Sequence, residues 1–230
     1  IQDCSEKRRG KKCAYLEYGT PLTLNSAYYK IFENLNIIEK YIPSKHEETR
    51  KSMIKSWAIL HTGQGLDIWF RDNRICPTEK EYYSIIDGKT GEVFVLISKL
   101  FFMHCNSLTL ILNFIVINIV NFMINISYII SFGLLVFDKK HTIDKIYKEN
   151  MVLIGRFFQI NDDKCALESN DLQKLKGVYD DIMERKYSHP IVMINKYNLK
   201  NKKEIMEIMN NVCITKENAE TCLNLIKESG

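Results

Sequence analysis

Glycine and proline are scarce in this chain, ten and four among 230 residues. Strand-like alternation is scarce as well, and apolar residues recur mostly at helical spacing, so the sequence predicts an all-α protein. It also lacks any Cys-x-x-Cys pair. Its seven cysteines are odd in number and scattered, which argues against a zinc site or a disulfide framework and for reduced thiols in a cytoplasmic setting. Neither sign of charge dominates: the net charge is +4, with acids and bases interleaved, so composition gives no argument for a nucleic-acid partner. The first residue is Ile1 rather than Met, and no basic region leads into a short apolar run there, so no signal peptide is expected.

Enough remains for one sizeable core. With 46% apolar and 26% charged residues, the chain reads as globular rather than disordered, a single domain over 1–230. Leu22 to Tyr41 carries an apolar stripe at helical spacing and stops at Pro43. Ser44, with Glu47 three residues on, resembles a capping box for the next helix. Pro77-Thr78-Glu79 opens another helix, through Tyr82, Ile85 and Ile86. Tyr28, Tyr29, Phe32, Phe157 and Phe158 are expected in the core or a cavity wall, and Trp57 and Trp69 as helix packing residues. The five histidines show no metal-ligand spacing and are read as structural.

One stretch differs from its flanks. No Lys, Arg, Asp or Glu lies between Lys99 and Asp138, and the run is long enough to cross a bilayer core. Asn118, Asn121 and Asn125 would share one face of such a helix, a costly arrangement in lipid unless they find partners. Its bias toward Ile, Asn, Phe, Leu, Val and Ser also fits translated non-coding sequence. A retained intron, a membrane helix and an ordinary buried helix all stay open. The segment, about 101–148, is treated as an insert, with membrane contact through 108–137 as one expectation.

Two segments carry candidate chemistry: HTGQGLDIWFRDN, His61 to Asn73, and GRFFQINDDKCALES, Gly155 to Ser169. Asp162 and Asp163 sit late in a helix that is otherwise apolar, where adjacent carboxylates are costly unless positive charge meets them. Magnesium suits an all-oxygen site and is commonly shared with substrate phosphates. Lys176 and Lys186 follow, Lys89 lies in DGKTGEVF, and Arg8-Arg9 lies near the start. Carboxylates for the metal with Lys and Arg for phosphate oxygens make a diphosphate clamp.

The order of IQDCSEKRRG, YGTPLTLNSAYY, HTGQGLDIWFRDNRICPTEKEY, DGKTGEVF, IGRFFQINDDKCALES and GVYDDIMERKYSHPIV resembles the trans-prenyltransferases, most closely the eukaryotic geranylgeranyl diphosphate synthases. The resemblance implies an isoprenoid synthase helical bundle around a central cavity. It implies prenyl chain elongation: magnesium-dependent condensation of isopentenyl diphosphate with an allylic diphosphate, farnesyl to geranylgeranyl diphosphate being the expected step. Three Mg²⁺ ions and a homo-oligomer are implied as well.

By the same resemblance, Asp3 is the last residue of a first Asp-Asp-x-x-Asp motif whose leading pair would precede residue 1. Asp3, Asp162 and Asp163 are then the metal residues. Arg8 holds the allylic diphosphate and Arg9 isopentenyl diphosphate. Lys89, Lys176 and Lys186 bind diphosphate, Gln159 supports the site, and Gln64 and Asp67 line the cavity. The second motif departs from the family at its fifth position, where Ala166 stands for Asp or Asn. Two alternatives accompany this reading: a catalytically incomplete subunit of a prenyl synthase, and a membrane-anchored helical interaction protein. With a first motif reduced to its tail, the chain alone is expected to be inactive.

Overall fold

Pro77 and Thr78 start a helix as expected, and the reason is local. The Thr78 hydroxyl accepts from the Glu81 backbone N–H at 3.3 Å, and the Glu81 carboxylate accepts from the Thr78 backbone N–H at 2.8 Å. In this computed structural model the described residues are 1–3, 5–8, 10–41, 46–104, 140–168, 179–211 and 213–229. Arg9, Ser44, Lys176 and the run 105–139, which contains all of 108–137, lie outside them.

In chain order the elements are a two-stranded hairpin, β1 (Lys7–Arg8) and β2 (Lys11–Lys12), then α1 (Ala14–Tyr18), α2 (Thr20–Tyr41), α3 (His46–Asn73) and α4 (Glu79–Ile86). A π-helical turn, Asp87–Gly91, joins α4 to α5 (Glu92–His104). There follow α6 (Lys140–Glu168), α7 (Asp180–Met183), α8 (His189–Tyr197), α9 (Lys202–Asn210) and α10 (Lys216–Glu228). The architecture is all-α, the antiparallel hairpin apart. Among the described residues no helix is long and apolar enough to cross a membrane.

The main core sits in the C-terminal half. Tyr82 and Ile86 of α4 and Leu167 of α6 pack there with Ile191, Val192 and Ile194 of α8, Ile205 and Met209 of α9, and Cys222, Leu223 and Ile226 of α10. Several expectations fail elsewhere. Tyr28, Tyr29 and Phe32 of α2 are exposed, Phe32 at 64%. Trp69 is half exposed, touching Phe70 edge-on at 5.0 Å, and Phe157 is exposed too. Phe158 packs as foreseen, with its ring 5.8 Å from Phe94, and Trp57 is half-buried. Periodicity marks a face but not what covers it.

Glycines set the spacing between helices. A Cβ on Gly63 of α3 would lie 2.4 Å from the Lys89 backbone nitrogen, and one on Gly155 of α6 would lie 2.4 Å from the Gly91 Cα. The π-helical turn is therefore wedged between α3 and α6 at backbone contact. Helix ends steer the rest. The Lys186 N–H donates to the Asp181 carbonyl at 2.8 Å and the Arg185 N–H to the Ile182 carbonyl at 2.9 Å, with Arg185 at φ 56°. That Schellman closure ends α7 and turns the chain so that Lys186 faces inward.

Candidate diphosphate site

A cavity of about 180 Å³ opens where α3, α4, the π-helical turn, α6 and the α7–α8 turn meet. Asp3, Asp67, Lys89, Gln159, Asp162, Asp163, Asp181 and Lys186 line it, with Phe70, Ile85 and Ile86 as apolar wall. Asp3 and Asp162, nearly 160 positions apart in sequence, thus face one space. The N-terminal segment is tied there by Ser5, whose hydroxyl donates to Glu184, and by the Tyr15 hydroxyl donating to the Ser5 carbonyl at 3.1 Å.

Positive and negative groups alternate around the rim. Gln64 donates to Asp3 at 3.2 Å, Arg71 lies 3.6 Å from it, and Lys186 3.9 Å. Arg71 also donates to the Gln2 carbonyl at 2.7 Å, pinning the same segment. Lys89 is paired with Asp67 of α3. Lys186 is paired with Glu184 and with Asp181, the latter at 3.4 Å. Burial alone would lower its pKa, but the Asp181 and Glu184 carboxylates outweigh it and hold the ammonium above the usual lysine range.

Asp163 has a different environment. It is 7% exposed and accepts three hydrogen bonds: Tyr82 hydroxyl at 2.7 Å, His189 backbone N–H at 2.7 Å, and Gln159 amide at 2.9 Å. The Thr90 hydroxyl donates to the Gln159 carbonyl oxygen at 2.7 Å, extending the chain of bonds to the π-helical turn. Desolvation raises the Asp163 pKa and outweighs the three donors, which pull the other way. Tyr82, beside that carboxyl and buried, has its own pKa driven far up, first by desolvation and then by Asp163.

The structure therefore brings together Asp3, Gln64, Asp67, Lys89, Gln159, Asp162, Asp163 and Lys186. Arg8 stands elsewhere: it is exposed on the hairpin opposite Lys11 and is not among the cavity-lining residues. Sequence reasoning missed Tyr82 and Arg71. Tyr82 looked like one more apolar position of α4, and its partner Asp163 is 81 residues away. Arg71 lay inside a segment already singled out, and its charge beside Asp67 was the available signal.

Residues 1–114 and 124–226 match the polyprenyl synthetase family. The chain belongs to that family. The match leaves only 115–123 between its two blocks, so it runs through part of the stretch read as an insert. A geranylgeranyl pyrophosphate synthase of Macrophomina phaseolina is 31% identical over 193 residues, covering 84% of this chain and 47% of that protein. Another, from Mucor circinelloides f. lusitanicus, is 28% identical over 231 residues, covering 100% of this chain and 63% of that protein. The chain spans about half the length of the curated relatives it matches. Among solved structures, T. brucei farnesyl diphosphate synthase in complex with a bisphosphonate matches with a TM-score of 0.70 at 18% identity, over 99% of this chain and 73% of that one. That likeness shows the fold.

Proposed function

We propose that the protein serves prenyl chain elongation, joining isopentenyl diphosphate to an allylic diphosphate, with farnesyl diphosphate extended to geranylgeranyl diphosphate as the expected step. The observation that carries the proposal is the convergence of Asp3, Asp162, Lys89 and Lys186 on one cavity with an apolar wall. Lys89 and Lys186 bind diphosphate oxygens and stabilise the charge that grows as the allylic C–O bond breaks. Phe70, Ile85 and Ile86 keep water from the allylic cation. The isopentenyl double bond then attacks that cation, and the proton released from the new bond's neighbour passes to the departed diphosphate.

The donor set fits magnesium. Among the described residues no three His, Cys, Asp or Glu side chains form a cage for a cation. Magnesium does not need one: it keeps several waters and takes one or two carboxylates plus substrate phosphates. Asp3 and Asp162 are the residues that would hold it. Bound there, it supplies Lewis-acid charge to the leaving diphosphate. Asp163 is reassigned from metal ligand to support, because both its oxygens already accept protein donors. Gln159 belongs with it.

Ala166 favours a second reading within the same fold, a prenyl synthase subunit that binds diphosphate without turning it over. It places no oxygen where the family carries one, so an outer support for the metal is missing. Calorimetric titration with inorganic pyrophosphate, with and without Mg²⁺, tests the shared part. Magnesium-dependent binding that weakens at least tenfold in Lys89→Gln and in Lys186→Gln is expected for charge-assisted contacts of about 1.5–3 kcal/mol each. No binding would sink both readings. Product formation from farnesyl and isopentenyl diphosphates by this chain would overturn the second reading, and with it the expectation that the chain alone is inactive.

A further inference from the structure

Arg156 plays no part in the clamp, yet it makes the most directional contact on the cavity's scaffold. Its Nε and Nη2 donate to the two carboxylate oxygens of Asp87, each at 2.6 Å. The Tyr83 ring lies under the guanidinium, 4.8 Å from the ring centroid to Cζ. Three elements meet at this point: α4 through Tyr83, the π-helical turn through its first residue, and α6. Gly155 and Gly91 touch backbone to backbone beside it. A glycine contact permits close approach but has no side chain to interlock, so it resists neither sliding nor rotation of α6. A planar two-point fork resists both.

The residues that depend on that rotation follow at once. Gln159 lies one helical turn beyond Arg156 and takes its bond from Thr90 of the π-helical turn. Asp162 and Asp163 lie a further turn along. On the other side, Lys89 is two residues past Asp87. We infer that the Arg156–Asp87 fork is a positioning device for the diphosphate cavity, fixing α6 against the π-helical turn so that Gln159 and Asp162 stand opposite Lys89. The inference rests on the proposed function only in calling the cavity's ligand a diphosphate. Both side chains keep about a third of their surface, 33% and 29%, so the pair itself adds little to global stability. Its loss moves the site more than it unfolds the chain.

The test uses the 230-residue chain labelled with ¹⁵N. Arg156→Gln is expected to shift the Gln159 side-chain amide resonance and to weaken magnesium-dependent pyrophosphate binding about tenfold, a modest case of misplacement. Arg156→Lys restores charge without the fork and recovers only part of each. The reversed pair, Asp87→Arg with Arg156→Asp, recovers both, and decides the matter if the single variant does not fold. Lys196→Gln, which breaks the exposed Lys196–Glu79 pair at 2.5 Å, is the control and should change neither. An unmoved Gln159 resonance in Arg156→Gln, or an equal loss of affinity in the control, overturns the inference. Wild-type chain that fails to bind pyrophosphate overturns the proposed function instead, and the resonance then judges the positioning alone.

Discussion

Helix α2 and the junction of α4, the π-helical turn, α6 and α8 are both rich in aromatic and charged residues, but they use them differently. In α2 the polar contacts are local. Lys30 pairs with Glu33 one turn away at 2.5 Å, and Lys30 and Lys40 lie over the neighbouring rings of Tyr29 and Tyr41. No residue of α2 is buried. At the junction nearly every contact joins residues far apart in sequence: Tyr82 to Asp163, Thr90 to Gln159, Arg156 to Asp87, His189 to Asp163. An amphipathic pattern is a property of a helix alone, whereas burial is a property of the pair. The junction holds its geometry because each polar group has a distant partner, and that is where the candidate chemistry lies.

The contrast is broken most severely by emptying the core behind the junction. Ile205 is fully buried between α8 and α10, so Ile205→Ala should cost about 2–5 kcal/mol, read as a lower urea midpoint with an unchanged slope. Next in size is Gly155→Ala. The added methyl meets backbone, the Gly91 Cα, at 2.4 Å, and backbone yields less readily than a side chain. A loss near the upper end of the overpacking range, about 3 kcal/mol, is expected, and it should be accompanied by loss of pyrophosphate binding. Ala at Gly65 of α3, where a Cβ would meet nothing within 4 Å, should leave both unharmed.

The same contrast explains what the sequence could and could not reveal. Asp162, Lys89, Lys186 and Asp3 stand out in the chain as parts of ordered motifs, and the folded chain places them on one cavity; Gln64, expected to line it, stands behind Asp3 and donates to its carboxylate. The helices were legible because their caps and apolar spacing are local, as at Thr78 and Glu81. The burial of Asp163 beside a less buried Asp162 was not, because adjacent aspartates look alike until Tyr82 and the His189 N–H reach one of them. Nor was the Arg156–Asp87 fork: both residues are ordinary helix charges until 69 residues of chain are closed. The aromatics of α2 misled for the converse reason. Their spacing was correct, and no described element covers them.

A smaller effect sharpens the account of Asp163. Tyr82→Phe removes a buried donor at 2.7 Å and should cost about 1–3 kcal/mol. Its pH dependence is also fixed in sign. Because the folded-state pKa of Asp163 is raised, the native chain holds this proton more tightly than the unfolded chain. The contribution is fully present below the ordinary carboxylate pKa and is lost as pH rises through the raised folded value. Asp163→Asn should therefore flatten that fall in stability with rising pH. The amide can be accommodated if Gln159 turns its carbonyl toward it and donates to the Thr90 hydroxyl instead. Denaturation midpoints of wild type and variant from pH 4 to 8 check this; parallel curves would remove desolvation as the dominant influence on Asp163.

The smallest expected effect falls on α2. Phe32 keeps 64% of its surface exposed, so Phe32→Ala removes little that folding had withdrawn from water. Surface substitutions of this kind usually stay within about 0.5 kcal/mol, roughly an order of magnitude below the upper estimate for Ile205→Ala, although phenylalanine is the larger side chain. Measured at low protein concentration, that inversion of size and effect would confirm that position against a partner element, not apolarity, sets the energetic weight of a residue here. A loss of about 2 kcal/mol or more would instead mean that the apolar face of α2 is covered in solution, since only withdrawal from water gives a phenyl ring that value.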